Sequence, residues 1–341
     1  MSPVRSTAVI FAASAAALVI AVGGSLSSVA ATTSTTVSIG FALKPINNPY
    51  FSTMGQGASA AASKLGVHLT TEDAANLADA TGQANALTAL IAHGYSCYLV
   101  NPVDATNLVQ PLIEAERQHR RIVNIDLPVS PSAAKAAGVH IQSYIGTDNV
   151  AAGELAANQL EKMLPAGSKV AVIGGFASDP TSQARIKGFE KGAAGKLDIV
   201  QTVAGNWNRE TALNDATTIM QREPDLKGFF VANGDMALGV QRAIGIAGKE
   251  GKVATIAVIG DTAVIKEIKD GTMAAAVEQF PYTIGQMGVE ACVGAVQGKT
   301  LPASVATPIQ VITQSNAAKA LAAFPQPFEP FNDPFTSLIA H

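Results

Sequence analysis

Short runs rich in branched and apolar residues alternate along this chain with longer Ala-rich stretches, and that rhythm constrains the fold more than any other feature. Residues 37–43, 67–71, 96–100 and 122–125 have the length and composition of buried strands, and 50–65, 80–93 and 106–118 are long enough for helices. Strands separated by helices in this way specify βαβ units, with a parallel sheet covered on both faces and right-handed crossovers. The rhythm restarts after a strand at 141–146. Helices are expected at 149–164, 181–192, 209–222, 236–247 and 263–269, with strands at 169–173, 198–203, 228–231, 255–259 and 274–278. One sheet of that many strands would be unusual, whereas two sheets of about six strands each suit ordinary domains. The predicted fold class is therefore α/β, as two doubly wound parallel-sheet lobes.

Ahead of the first strand, residues 1–31 read as an export signal. Arg5 gives a positive start, an uncharged stretch follows from about 8 to 22, and Val29-Ala30-Ala31 offers a small-residue cleavage site. Ser14, Gly23 and Gly24 interrupt the apolar stretch, and alanine dominates it over leucine, which favours cleavage over a membrane anchor. No cysteine stands near the cleavage region, so no lipid anchor is expected. The mature chain, roughly 310 residues and enough for two cores, is expected to be periplasmic or secreted and monomeric.

Charged residues make up only 14% and the net charge is −3, one unit more negative once Arg5 is lost. Nucleic acid and anionic membrane surfaces are therefore poor partners. Cys97 falls in a strand-like core run and Cys292 in a helical one, which reads as two separate buried thiols. Export equally permits a disulfide, and the spacing leaves the pairing open. Residues 317–341 carry Phe324, Phe328, Phe331 and Phe335 among several prolines without periodicity, which predicts an extension on the surface or disordered.

Doubly wound sheets bind ligands beyond the carboxyl ends of their strands, so the residues just after each strand matter most. After the first strand come Asn47-Asn48-Pro49-Tyr50-Phe51, where Asn48 suits a helix cap and two adjacent aromatics face the crevice. Asp126 and Asp261 each follow an apolar strand, and Asn233 follows another. A carboxylate can accept hydrogen bonds from neighbouring sugar hydroxyls, although each of these residues would also serve as a simple cap. Arg185 lies in the first turns of a helix and, taken alone, reads as a surface arginine. Trp207, the only tryptophan, sits between polar turn residues, where its flat face suits the C–H face of a sugar. Gln279 follows the strand at 274–278. Polar groups converging with aromatic faces describe a sugar site.

In this order and spacing, Asn47-Asn48-Pro49-Tyr50-Phe51, Thr181-Ser182-Gln183-Ala184-Arg185, Asn233-Gly234-Asp235-Met236-Ala237-Leu238-Gly239 and Gln279 resemble the ribose-type periplasmic sugar-binding proteins. The resemblance covers roughly residues 37–313 and implies the type I periplasmic-binding-protein fold, with lobes joined by a three-segment hinge. It places crossings near Thr147-Asp148, Gln279-Phe280 and residues 307–310. The N-terminal lobe would be 37–147 plus 280–306, the C-terminal lobe 148–279 plus about 310–316, and 317–341 an extension outside the resemblance. It further implies that Asn48, Asp126, Arg185, Asn233, Asp261 and Gln279 hydrogen-bond ligand hydroxyls, while Tyr50, Phe51 and Trp207 sandwich the ring. Relatives that bind ribose carry an arginine directly after the carboxylate of the fourth strand. Here that position is Leu127, which points to a different hydroxyl pattern or a smaller polyol.

The implied function is capture of a small sugar or polyol by hinge closure, with delivery to the membrane permease of an ABC importer. An alternative reader is a sensor kinase or chemoreceptor. An enzyme is not expected: no histidine stands at a strand end beside a nucleophile, and no hydrolase elbow, zinc helix or phosphate loop occurs. Asp126 and Asp261 as a glycosidase pair are the remaining catalytic alternative. A sugar-responsive repressor would need a basic helix-turn-helix where the export signal stands. No cofactor or metal is expected.

Overall fold

The computed structural model describes residues 37–339, and the expected export signal lies outside them. The first lobe alternates β1 (Ser38–Leu43), α1 (Pro49–Leu65), β2 (His68–Asp73), α2 (Ala80–His93), β3 (Cys97–Val100), α3 (Val109–Arg117), β4 (Arg121–Ile125), α4 (Pro131–Ala136) and β5 (Ser143–Thr147). The second continues with α5 (Asn149–Glu161), β6 (Ser168–Gly174), α6 (Pro180–Ala193), β7 (Leu197–Ala204), α7 (Arg209–Arg222), β8 (Gly228–Val231), α8 (Gly234–Ile246), β9 (Ala254–Ile259), α9 (Thr262–Asp270) and β10 (Ala275–Gln279). The chain then returns to the first lobe through α10 (Pro281–Val296) and β11 (Ser304–Thr307), and back again through β12 (Ile309–Thr313). It ends in α11 (Ala317–Ala323) and α12 (Pro334–Ile339).

Two six-stranded sheets result, ordered β11-β5-β4-β3-β1-β2 and β12-β10-β9-β8-β6-β7. The first is parallel throughout; in the second, β12 pairs antiparallel with β10 at the edge. Consecutive apolar runs such as Cys-Tyr-Leu-Val in β3 are wholly buried because helices cover both sheet faces. The chain crosses between sheets at 147–149, 279–281 and 307–309, with the last crossing a single Pro308 between β11 and β12. The helix expected at 106–118 starts later, because Asp104 Oδ1 accepts from the backbone N–H groups of Thr106 (2.7 Å) and Asn107 (2.9 Å) and holds a turn there. Among the described residues, no helix is long and apolar enough to cross a membrane.

Two expectations need correction. Cys97 and Cys292 are not separate thiols but a disulfide, both residues fully buried, with their Cα atoms 5.8 Å apart. The two are 195 residues apart, but α10 returns across β3 and β4 and brings them together. The tail is neither loose nor merely superficial: Ala317 and Ala320 are buried in the core of the second lobe, and Phe335 is buried in that of the first.

The bridge pins the returning helix to the central strand of the first sheet, closing a very long loop. Replacing both cysteines by alanine is expected to lower the unfolding free energy by about 2–5 kcal/mol in chemical denaturation. A variant as stable as the parent would show that side-chain contacts alone hold α10.

Candidate ligand-binding cleft

Both sheets direct the carboxyl ends of their parallel strands to one cavity of about 480 Å³. Asn48, Tyr50, Phe51, Asp126, Arg185, Trp207, Asn233, Asp261 and Gln279 all line it. Several belong to helix caps, and the cap is what aims them. Asn48 Oδ1 accepts from Tyr50 N (3.0 Å) at the start of α1, and Asn233 Oδ1 from Met236 N (2.9 Å) at the start of α8. Asp261 Oδ1 takes the N–H groups of Ala263 (2.9 Å) and Val264 (3.3 Å) at the start of α9. One oxygen is thus committed to the backbone, leaving the Asn48 and Asn233 amide groups and Asp261 Oδ2 for a ligand. Burial pushes the Asp261 carboxyl up from its ordinary range, against the pull of those two backbone donors.

Asp126 is held from several sides. Its backbone has φ of 62°, a left-handed conformation, fixed by its N–H to Ile145 O (2.9 Å) and by Tyr144 Oη donating to its carbonyl (2.7 Å). Its carboxylate meets Lys44 Nζ at Oδ2 (3.3 Å) and Tyr50 Oη at Oδ1 (3.2 Å). Tyr50 Oη also lies 3.1 Å from Gln279 Oε1, so its single proton has two acceptors in reach. Burial first, and then the Asp126 charge, raise the Tyr50 hydroxyl well above its ordinary value.

Arg185 is not a surface arginine. It is 4% exposed and reaches three acceptors: Nε donates to Asn149 Oδ1 (2.7 Å), Nη1 to Ala232 O (2.6 Å) and Nη2 to Gln279 Oε1 (3.1 Å). Of its five N–H donors two remain for a ligand. Trp207 sits with Asn206 in a left-handed stretch (φ 58° and 56°), and its indole lies flat on Gly175. A Cβ at Gly175 would fall 2.0 Å from the ring, so glycine is required beneath this aromatic plate. Trp207 Nε1 donates to Asp179 Oδ2 (3.1 Å), which fixes the plate in rotation. Phe51 contributes a ring face with the Lys44 ammonium 5.2 Å from its centroid.

Lys44 and Glu278 were not singled out from sequence. Lys44 directly follows β1, so the strand-end rule reaches it, but the turn motif at 47–51 draws attention past it. It places a cationic donor beside Asp126 while Leu127 is 1% exposed and does not line the cavity. Glu278 is 1% exposed and neither carboxyl oxygen has a partner; burial first, then Asp261, push it well above the carboxylate range. It lies buried and unpartnered beneath the site, and its place in an apolar strand gives no sign of that. Among the described residues no cluster of His, Cys, Asp or Glu could hold a metal ion.

Two α/β lobes presenting polar groups and aromatic faces across a shared cavity define a small-molecule binding protein of the hinged type. The chain belongs to the periplasmic binding protein domain family, which matches residues 39–300. It is 32% identical to the D-allose-binding periplasmic protein of Escherichia coli K12 over 79% of this chain and 88% of that one. To the ribose import binding protein of Bacillus subtilis it is 29% identical, over 81% and 87% of the two chains. A periplasmic solute-binding protein of an ABC transporter from Actinobacillus succinogenes, solved with bound D-allose, superposes with a TM-score of 0.78 at 26% identity, covering 83% and 99%.

Gly260, like Gly175, sits beneath an aromatic side chain of the cleft, where a Cβ would lie 2.5 Å from Tyr50 Cδ2. Tyr50 cannot swing aside without leaving Asp126 and Gln279. Gly260→Ala is expected to cost about 1–3 kcal/mol of stability by overpacking, read by chemical denaturation. Unchanged stability would mean that the tyrosine moves freely.

Proposed function

We propose that this protein captures a small sugar or polyol in the cleft and hands it, in the closed form, to the membrane permease of an ABC importer. One observation carries the reading: all of the cleft's polar side chains that came into consideration from sequence converge on a single cavity together with two kinds of aromatic wall. Sugar hydroxyls need acceptors and donors in alternation, which Asp126, Asp261 and the Asn48, Asn233 and Arg185 N–H groups supply. Trp207 takes the ring's C–H face. Lys44 gives Asp126 the cationic neighbour that Leu127 does not, which makes an aldohexose such as D-allose the first ligand to try. The relatives named above bind D-allose or ribose, and the family is one of transport binding proteins rather than enzymes. Asp126 pairs with Lys44 and Asp261 caps α9, which supports roles as hydroxyl acceptors rather than as an acid–base pair. The protein acts as a monomer after export to the periplasm.

Calorimetric titration with D-allose, D-ribose, other pentoses and hexoses, and glycerol tests this directly, with Trp207 fluorescence as a second readout. One saturable ligand is expected, and Asp261→Asn, which keeps a competent helix cap, is expected to weaken it by about 2 kcal/mol or roughly thirtyfold. Binding with Asp261→Asn unchanged would remove Asp261 from the site, and no binding by any of these compounds would refute the ligand class. Because the ligand needs Asp261 ionised and burial raises its pKa, affinity is expected to be complete at neutral pH. It should fall on acidification, starting above the ordinary carboxylate range.

A further inference from the structure

The segment after β12 passes from one lobe to the other. At its start, Asn316 accepts from Thr313 N (2.8 Å) and donates to Val311 O (2.9 Å), and α11 packs on α9 with Ala317 and Ala320 in the second lobe's core. Gln310 then grips the chain as a strand would: its Oε1 accepts from Phe328 N (3.1 Å) and Glu329 N (3.2 Å), and its Nε2 donates to Glu329 O (3.0 Å). Phe328 meets Phe280 edge-on at 6.5 Å, directly beside the second crossing between the sheets. A few residues later Phe331, Phe335 and Leu338 are packed into the core of the first lobe, with α12 lying on α10.

The first-lobe anchor contains an acid pair. Glu290 on α10 is 5% exposed and lies within hydrogen-bonding reach of Asp333, just ahead of α12. Asp333 Oδ1 caps that turn by accepting from Phe335 N (2.9 Å), while Asp333 Oδ2 and Glu290 Oε2 are both buried and meet no donor. Gln286 Nε2 donates to Glu290 Oε1 (3.0 Å), and Lys64 from α1 is the other charged group facing Glu290 among the described residues. Two ionised carboxylates repel in this enclosed site. A proton on Glu290 donated to Asp333 satisfies both oxygens.

We propose that residues 317–339 are a strap joining the two lobes beside the hinge, and that its first-lobe end is latched by a proton held between Glu290 and Asp333. The strap then adds a fourth crossing to the three of the chain's main course, one that can let go. Docked, the Glu290 carboxyl is pushed up to about 8, by burial first and then by Asp333. Released into water it returns towards its ordinary 4.5. The docked form therefore carries a proton that the released form loses. Docking is tightest below the ordinary value, weakens as pH rises from there to about 8, and changes no further above it.

Hydrogen–deuterium exchange of the intact mature protein at pH 5 and pH 8.5, corrected for intrinsic exchange, reads this without any ligand. Amides of 331–339 are expected to lose protection by about tenfold or more at the higher pH, while those of α5 keep theirs. Glu290→Gln, which donates to Asp333 without needing a proton, is expected to hold the segment equally protected at both values. Equal protection of the parent at both pH values would overturn the latch. So would a pH-dependent loss in Glu290→Gln as large as the parent's, and absence of protection at both values would overturn the strap itself.

Discussion

One carbonyl oxygen, Gln279 Oε1, ties the cleft to the hinge. It receives Thr147 Oγ1 (3.0 Å) from the first crossing and Arg185 Nη2 (3.1 Å) from the second lobe, and it lies 3.1 Å from Tyr50 Oη of the first lobe. Gln279 itself stands at the second crossing, 3% exposed. Three donors cannot all be satisfied by one oxygen at full strength, and Tyr50 has the Asp126 carboxylate as its other acceptor. A ligand hydroxyl taken up by Asp126, as proposed, would change where the Tyr50 proton goes, and through Gln279 the bond between the lobes. The cleft and the crossings between the lobes share one hydrogen-bond network, which is the physical requirement for closure to follow capture.

Around that network the site is built from helix starts. Asn48, Asn233 and Asp261 each spend one oxygen on a backbone N–H and offer the remaining group to the cavity. Capping fixes their rotamers, so the cleft is ordered before any ligand arrives. The same economy explains why sequence left their roles open between cap and ligand contact: the cap uses one side of each side chain and leaves the other facing the cavity. The strained pair Asn206-Trp207, the indole on Gly175 and the tyrosine on Gly260 show the same preorganisation in the aromatic walls.

Most of the framework was readable because its causes are local. Apolar runs such as Phe229-Phe230-Val231 and the Ala-rich stretch 80–93 follow from composition and period, and the two six-stranded sheets follow from their alternation. The strand-end rule led to Asp126, Asn233 and Asp261 for the same reason. What escaped depends on partners distant in the chain. Cys97 meets Cys292 only because α10 returns over β3, and Phe335 finds a core only after two lobes exist to be bridged. Arg185 looks like a surface residue until Asn149, Ala232 and Gln279 surround it, and Glu278 betrays nothing of its burial.

Small-angle scattering of the intact mature protein, with and without the sugar that calorimetry identifies, tests the central claim that occupancy of the cleft drives the lobes together. The account predicts a smaller radius of gyration at saturation, with the change lost or reduced when Gln279 is replaced by leucine. Identical scattering with and without a saturating ligand would contradict it, because binding would then be separable from the hinge.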